Sequence, residues 1–187
     1  PIFAELLSQA GYATQAVGKW HMGESEVSQP QNVGFDDFYG FLSVSDMYSE
    51  WRDPHYFPDI VYSAARSDWI KNMPFNRCFV HATRGGKAEN VEEVTIPVLS
   101  LLDEKWCQYS EQFIRRRAGN AQPWLLYHCT RGAHFDNYPS EPFLGKSPAR
   151  HPYKDTLLEL DQIIRRLTEA LAQTGQLEDT LIFISSD

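Results

Sequence analysis

Alternation is the feature that most constrains this chain: amphipathic helical stretches are each followed by a short apolar run. Tyr153 to Thr174 is the clearest helix, because Leu157, Leu160, Ile164, Leu167 and Leu171 step 3, 4, 3, 4 along one face and Gly175 ends it. A second helix is predicted from about Ser100 to Ala118. Leu102, Trp106, Tyr109 and Phe113 share a face, Asp103 and Glu104 lie early, and Arg115 to Arg117 lie late, which suits the helix dipole. A third is expected at the start, with Phe3, Leu6, Leu7 and Ala10 on one face and Gly11 as its stop. The runs between them are Ala13 to Val17, short and β-tolerant, and the apolar Pro123 to Cys129 and Leu181 to Ser185, each short enough to be a strand. Helix, strand, loop, helix, strand, loop, helix, strand is the rhythm of an α/β domain with a largely parallel sheet.

Between these units the pattern weakens. Residues 24–33 are polar with Pro30 and read as a loop, and Gly34 to Phe41 is aromatic and bracketed by glycines. From about 43 to 95 no period persists, so this stretch is expected to form an irregular inserted lobe. The chain opens at Pro1 already in a helical pattern, and Leu181 to Asp187 runs apolar to the last carboxylate. The expectation is an internal piece of one longer catalytic domain.

Composition narrows the function classes. Seventeen Lys and Arg against 25 Asp and Glu leave a net charge of −8, which argues against a general nucleic-acid binder. No run of about 18 apolar residues is present, so no membrane span is expected. Cys78, Cys107 and Cys129 lack C-x-x-C spacing, which disfavours structural zinc or a disulfide framework.

In open parallel sheets, ligands gather at the carboxyl ends of strands. The first strand leads to Lys19 and His21, the second leads through Thr130-Arg131-Gly132-Ala133 to His134, and the third delivers Asp187. Taken singly, these are ordinary residues: a solvated lysine, packed or loop histidines, a capping carboxylate. On one rim they form a site for an anion, with a metal as an option.

The same residues carry a resemblance. Gly11 to Gly23, with Gly18-Lys19-Trp20-His21 at its heart, resembles a signature segment of the sulfatases. Gly34-Phe35-Asp36-Asp37-Phe38-Tyr39-Gly40 is similar to the G-F-D-x-F-Y-G that follows it, Ala133-His134 to the family's A-H or P-H pair, and Thr180 to Asp187 to its T-L-(I/V)-(I/F)-x-(T/S)-S-D run. The resemblance implies an alkaline-phosphatase-like αβα sandwich that hydrolyses sulfate esters of small aryl alcohols or carbohydrates. It also implies a formylglycine nucleophile, made from Cys or Ser, and a calcium ion. By position, Lys19 would contact nucleophile and sulfate, His21 would handle the proton of the aldehyde hydrate, His134 would stand by the bridging oxygen, and Asp187 would be a calcium ligand. The roles are chemically apt, since sulfate transfer spreads negative charge that positioned cations stabilise, calcium takes oxygen ligands, and imidazole passes protons near neutrality. The lysine stem is expected to pack on aromatics such as Trp20. Location in a periplasm, outside the cell, or in a lysosome if eukaryotic, is likewise only implied.

Departures from the family pattern are specific. None of the three cysteines has Pro two residues on, and Ser28-Gln29-Pro30-Gln31-Asn32 lacks the arginine of C/S-x-P-x-R. The paired upstream acidic ligands, the Asn after Asp187 and a later sulfate-binding lysine are absent, so the chain alone is expected to bind calcium poorly and to hydrolyse nothing. Rival readings are a phosphate or phosphonate ester hydrolase of the same superfamily and a non-catalytic binding relative. Trp51, Tyr56, Phe57, Tyr62, Trp69 and Phe75 are candidates for the mouth that receives the leaving group. Arg131 is a candidate to reach the anion. Asp36 and Asp37 read as structural, and Cys129 beside His128 is discounted as a nucleophile because strand neighbours point to opposite faces.

Overall fold

The computed structural model describes residues 2–43, 53, 55, 58, 63–65, 68 and 77–186. Asp187 and the six aromatics from Trp51 to Phe75 lie outside them. Among the described residues no helix is long and apolar enough to cross a membrane.

Helix α1 (Phe3–Gln9) leads into β1 (Ala13–Lys19), which pairs in parallel on one side with β2 (Asp37–Phe41) and on the other with β5 (Trp124–Cys129). Strands β3 (Cys78–Thr83) and β4 (Glu89–Glu93) extend the sheet beyond β2 as an antiparallel hairpin, giving the order β4-β3-β2-β1-β5. A short helix α2 (Ile96–Leu99), capped by Thr95, precedes α3 (Leu102–Arg117), and α4 (Pro152–Gln173) follows β5. The α/β class with parallel strands at its centre is the architecture that the alternation demands.

Side-chain alternation along β1 splits the core in two. Ala16 and Trp20 face α1 and pack with Ala4, Phe35, Phe38 and Val80. Val17 faces α3 and packs with Phe41, Phe79, Leu102 and Trp106. Farther along, Ile114 of α3 meets Ala170 and Leu171 of α4 over Trp124 and Leu126.

Two glycines permit the close centre of the sheet. A Cβ on Gly18, where φ is +97°, would sit 1.7 Å from the Cys129 carbonyl oxygen, and one on Gly40 would sit 1.9 Å from that of Gly18. Only glycine has neither the atom nor the φ penalty.

Four expectations need correction. The segment from Cys78 to Glu93, assigned to the irregular lobe, is a hairpin of the main sheet; β4 reads Glu-Asn-Val-Glu-Glu and is mostly exposed, an edge strand blunted by charge and so without apolar alternation. The run Leu181 to Ser185 is not a strand among the described residues: it pairs with none of them, and Leu181 and Phe183 stay 78% and 85% exposed. A strand needs a neighbour for its backbone groups, which an apolar sequence alone does not supply. On α1, the core face is Ala4, while Phe3 and Leu6 are exposed. On α4, Leu157 and Ile164 are exposed, and the buried face turns to Asp155, Thr156, Glu159 and Ile163.

Candidate functional site

Because β1 and β5 are parallel neighbours with Gly18 opposite Cys129, their carboxyl ends meet one edge of the sheet. Lys19 closes β1 and is half-buried; burial raises the Cys129 thiol, and the Lys19 charge opposes this without reversing it. The ladder to β2 continues past it: Trp20 N–H donates to Phe41 O at 2.9 Å and His21 N–H to Leu42 O at 3.0 Å. Between the two candidates, Trp20 is an anchor. Its ring packs edge-on against Phe35 at 5.9 Å and its Nε1–H donates to Ser28 O at 2.9 Å. Alternation thus takes Trp20 to the opposite face from Lys19, which shares its face with Phe41 rather than resting on the indole. His21 is exposed, with φ +49°, a left-handed conformation that costs a non-glycine residue about 1–2 kcal/mol.

His134 lies in the loop that leaves β5 at the same edge. Its backbone N–H donates to Arg131 O at 3.2 Å, closing a turn through Gly132 and Ala133, and Ala133 also has a left-handed φ of +69°. The ring is exposed and its Nδ1–H donates to the Phe135 carbonyl, which leaves Nε2 as the outward nitrogen. Lys19, His21 and His134 therefore leave adjacent strands at one edge, whereas Asp187 lies outside the described residues.

The loop rests on buried acids that sequence reading gave no site role. Asp103 of α3 accepts the N–H groups of Arg131 at 2.7 Å and Gly132 at 2.8 Å. Burial pushes the Asp103 carboxyl up, opposed by those two N–H groups and the Arg131 charge. In the sequence Asp103 reads only as an acid suited to a helix N-terminus, and its inward aim has no local signal. Arg131 is corrected from anion contact to scaffold: it is 2% exposed, its guanidinium donates to Asp136 O and lies 5.2 Å over the Tyr138 ring.

The remaining candidates are structural, as expected. Asp36 accepts from Thr14 N–H at 2.8 Å and Arg84 Nε at 2.7 Å; burial pushes its carboxyl up, and Arg84 and Thr14 more than reverse this. Asp37 pairs with His81 Nε2 at 2.8 Å and accepts the Tyr109 hydroxyl at 2.9 Å. Cys129 carries a thiol raised by burial, and His128 turns to the other face, where Nδ1 and the Ser110 hydroxyl lie 2.7 Å apart. A cleft of about 640 Å³ opens at the opposite end of β5, among Tyr12, Trp124, Gln176, Leu181 and Phe183. Among its lining residues the charged side chains are Arg117 and Asp179.

The sulfatase family profile matches residues 1–187, the whole chain. The chain belongs to the sulfatase family. N-acetylgalactosamine-6-sulfatase of Homo sapiens is 30% identical over 187 residues, all of this chain and 32% of that protein. Arylsulfatase G of Rattus norvegicus is 28% identical over 185 residues, 98% of this chain and 34% of that protein. The crystal structure of PsFucS1 sulfatase from Pseudoalteromonas sp. superposes with a TM-score of 0.88 at 33% identity, over 94% of this chain and 35% of that one. This sulfatase chain thus spans about a third of the length of the curated relatives it matches.

Sulfatases as a family imply formylglycine and a metal ion, and the described residues fit neither. Cys107 is buried in α3 with its thiol pushed up to about 12 by burial, and Cys78 and Cys129 are half-buried strand residues; none lies in C-x-P-x-R. Among the described residues no group of three or more His, Cys, Asp or Glu could hold a metal ion. What the described residues do bring to the carboxyl ends of β1 and β5 is one lysine, Lys19, and two histidines, His21 and His134.

Proposed function

We propose that the protein containing this chain hydrolyses sulfate monoesters of aryl alcohols or carbohydrates, and that Lys19, His21 and His134 belong to its catalytic edge. What supports this reading is the parallel pairing of β1 with β5 in a chain of the sulfatase family: Lys19 ends β1, and His21 and His134 follow the carboxyl ends of the two strands. Lys19 holds sulfate oxygens and offsets the charge that spreads over them as the ester bond breaks. His134, whose Nε2 is the outward nitrogen, delivers a proton to the bridging oxygen so that the alcohol departs neutral. His21 stands at the same rim as a second proton-handling ring. Formylglycine and calcium belong to the proposal as the expected nucleophile and ion, with Asp187 as one calcium ligand. The names of the relatives support aryl and amino-sugar sulfates as the substrate class. A periplasmic or extracellular site of action, lysosomal in a eukaryote, completes the reading.

The test is turnover by the complete protein of 4-nitrophenyl sulfate and of 6-sulfated N-acetylgalactosamine, with 4-nitrophenyl phosphate in parallel. Release of sulfate from either sulfate ester is the expected result. Preference for the phosphate ester would move the assignment to the phosphoryl-transfer relatives, and no turnover of any ester would leave the binding-protein reading.

A further inference from the structure

We propose that Asp103 is a positioning residue for His134: by holding the Arg131 and Gly132 amides, its buried carboxylate sets the turn that presents the His134 ring at the carboxyl edge of the sheet. The kinetic arm of this proposal rests on the sulfate-ester reading above.

Three observations converge on it. Asp103 is buried in the second position of α3, and its two oxygens take one N–H each from consecutive residues, at 2.7 and 2.8 Å. A carboxylate bonded to two successive amides fixes the plane of the peptide between them, and such charge-assisted bonds are about twice as strong as neutral ones. Second, the chain immediately beyond is held away from its relaxed shape: Ala133 is left-handed at φ +69°, and the turn closes when His134 N–H reaches Arg131 O at 3.2 Å. A non-glycine residue persists in that region only when its surroundings over-determine it. Third, the fit leaves no slack. A Cβ on Gly132 would lie 3.1 Å from Leu160 and 3.2 Å from Asp103 Oδ2. The carboxylate, the glycine and the left-handed alanine thus form one device, and its output is the direction of the His134 ring.

The test uses the complete protein with Asp103→Asn, alone and combined with His134→Ala. An asparagine keeps size and shape but turns an N–H group toward one of the two amide donors, so one bond becomes a repulsion. Misplacement of a reacting group by about 1 Å costs on the order of 100-fold in rate. Asp103→Asn should therefore lower kcat by at least about tenfold with KM changed less than about twofold, and its effect on kcat should fall below about twofold once His134 is alanine. Hydrogen exchange of the Arg131 and Gly132 amides should accelerate at least about tenfold while β1 amides keep their protection. Equal losses of kcat in both backgrounds, an unchanged kcat, or unchanged amide protection would each overturn the proposal. If the unsubstituted protein turns over no sulfate ester, the functional reading fails by itself, and amide exchange alone decides the clamp. Should Asp103→Asn not fold, Gly132→Ala keeps the carboxylate and crowds it. The same His134-dependent loss of kcat is expected there, and an additive loss overturns the idea.

Discussion

Ser140, in the loop between β5 and α4, gives its hydroxyl hydrogen to Glu159 Oε1 at 2.6 Å and its N–H to Oε2 at 3.2 Å. One turn earlier on the same helix, Asp155 takes the N–H groups of Gly145 and Ser147, both at 2.8 Å. Helix α4 therefore spends part of its inward face on carboxylates and leaves Leu157 and Ile164 exposed. Without these acids, the polar backbone of a loop packed against two helices would have no acceptors.

Removing the acid at Glu159 should be costly. Glu159→Ala strands the Ser140 hydroxyl and N–H in a buried place, with an expected loss of about 2–3 kcal/mol. The urea midpoint of the protein should fall, and fall less for Glu159→Gln, which keeps one acceptor. Equal midpoints for all three proteins would mean that water satisfies Ser140.

The contact at the centre of the sheet can be separated from backbone strain. Gly18→Ala meets both the left-handed φ and the Cys129 carbonyl, whereas Gly11, at φ +91°, has nothing within 4 Å of its Cβ position. Gly11→Ala should cost about 1 kcal/mol and Gly18→Ala about 3 kcal/mol or more. Thermal unfolding of the two variants measures the difference, and similar midpoints would contradict the close approach of β1 and β5.

His128 gives stability a dependence on acid. Burial holds its imidazolium form down to about 4, from an ordinary value of 6.5. The unfolded chain therefore binds more protons than the folded one between those values, so stability is complete above about pH 6.5 and is lost as pH falls toward about 4. The span corresponds to a loss on the order of 3 kcal/mol. His128→Gln keeps a partner for Ser110 and removes the titration. Its unfolding free energy should vary less with pH over that window, and an unchanged slope would assign the acid sensitivity to other groups.

Legibility differed by element for physical reasons. The helices α3 and α4 and the strands β1 and β5 follow from periodicity and turn residues; β1 is buried along nearly its whole length and β5 is half-buried throughout. β3 and β4 were hidden: β4 is an acidic edge whose side chains face water, and β3 is six residues whose alternation is broken by His81. The Leu181 to Ser185 run shows the converse, an apolar pattern with no partner strand among the described residues. The placement of Lys19, His21 and His134 at or beyond the carboxyl ends of β1 and β5 follows from the alternation, because strand ends in a parallel sheet point one way. Asp103 and Glu159 were not, since an acid on a helix carries the same letter whether it faces water or two buried amides.

The proposed catalytic edge is formed jointly by the carboxyl ends of β1 and β5. The most direct measurement is kcat/KM of the complete protein for 4-nitrophenyl sulfate after Lys19→Ala, His134→Ala and, as a control two strands away from β1, His81→Ala. Losses of at least about 100-fold are expected for the first two and less than about twofold for His81→Ala. Retained turnover without Lys19 and His134, or an equal loss without His81, would contradict that catalytic edge.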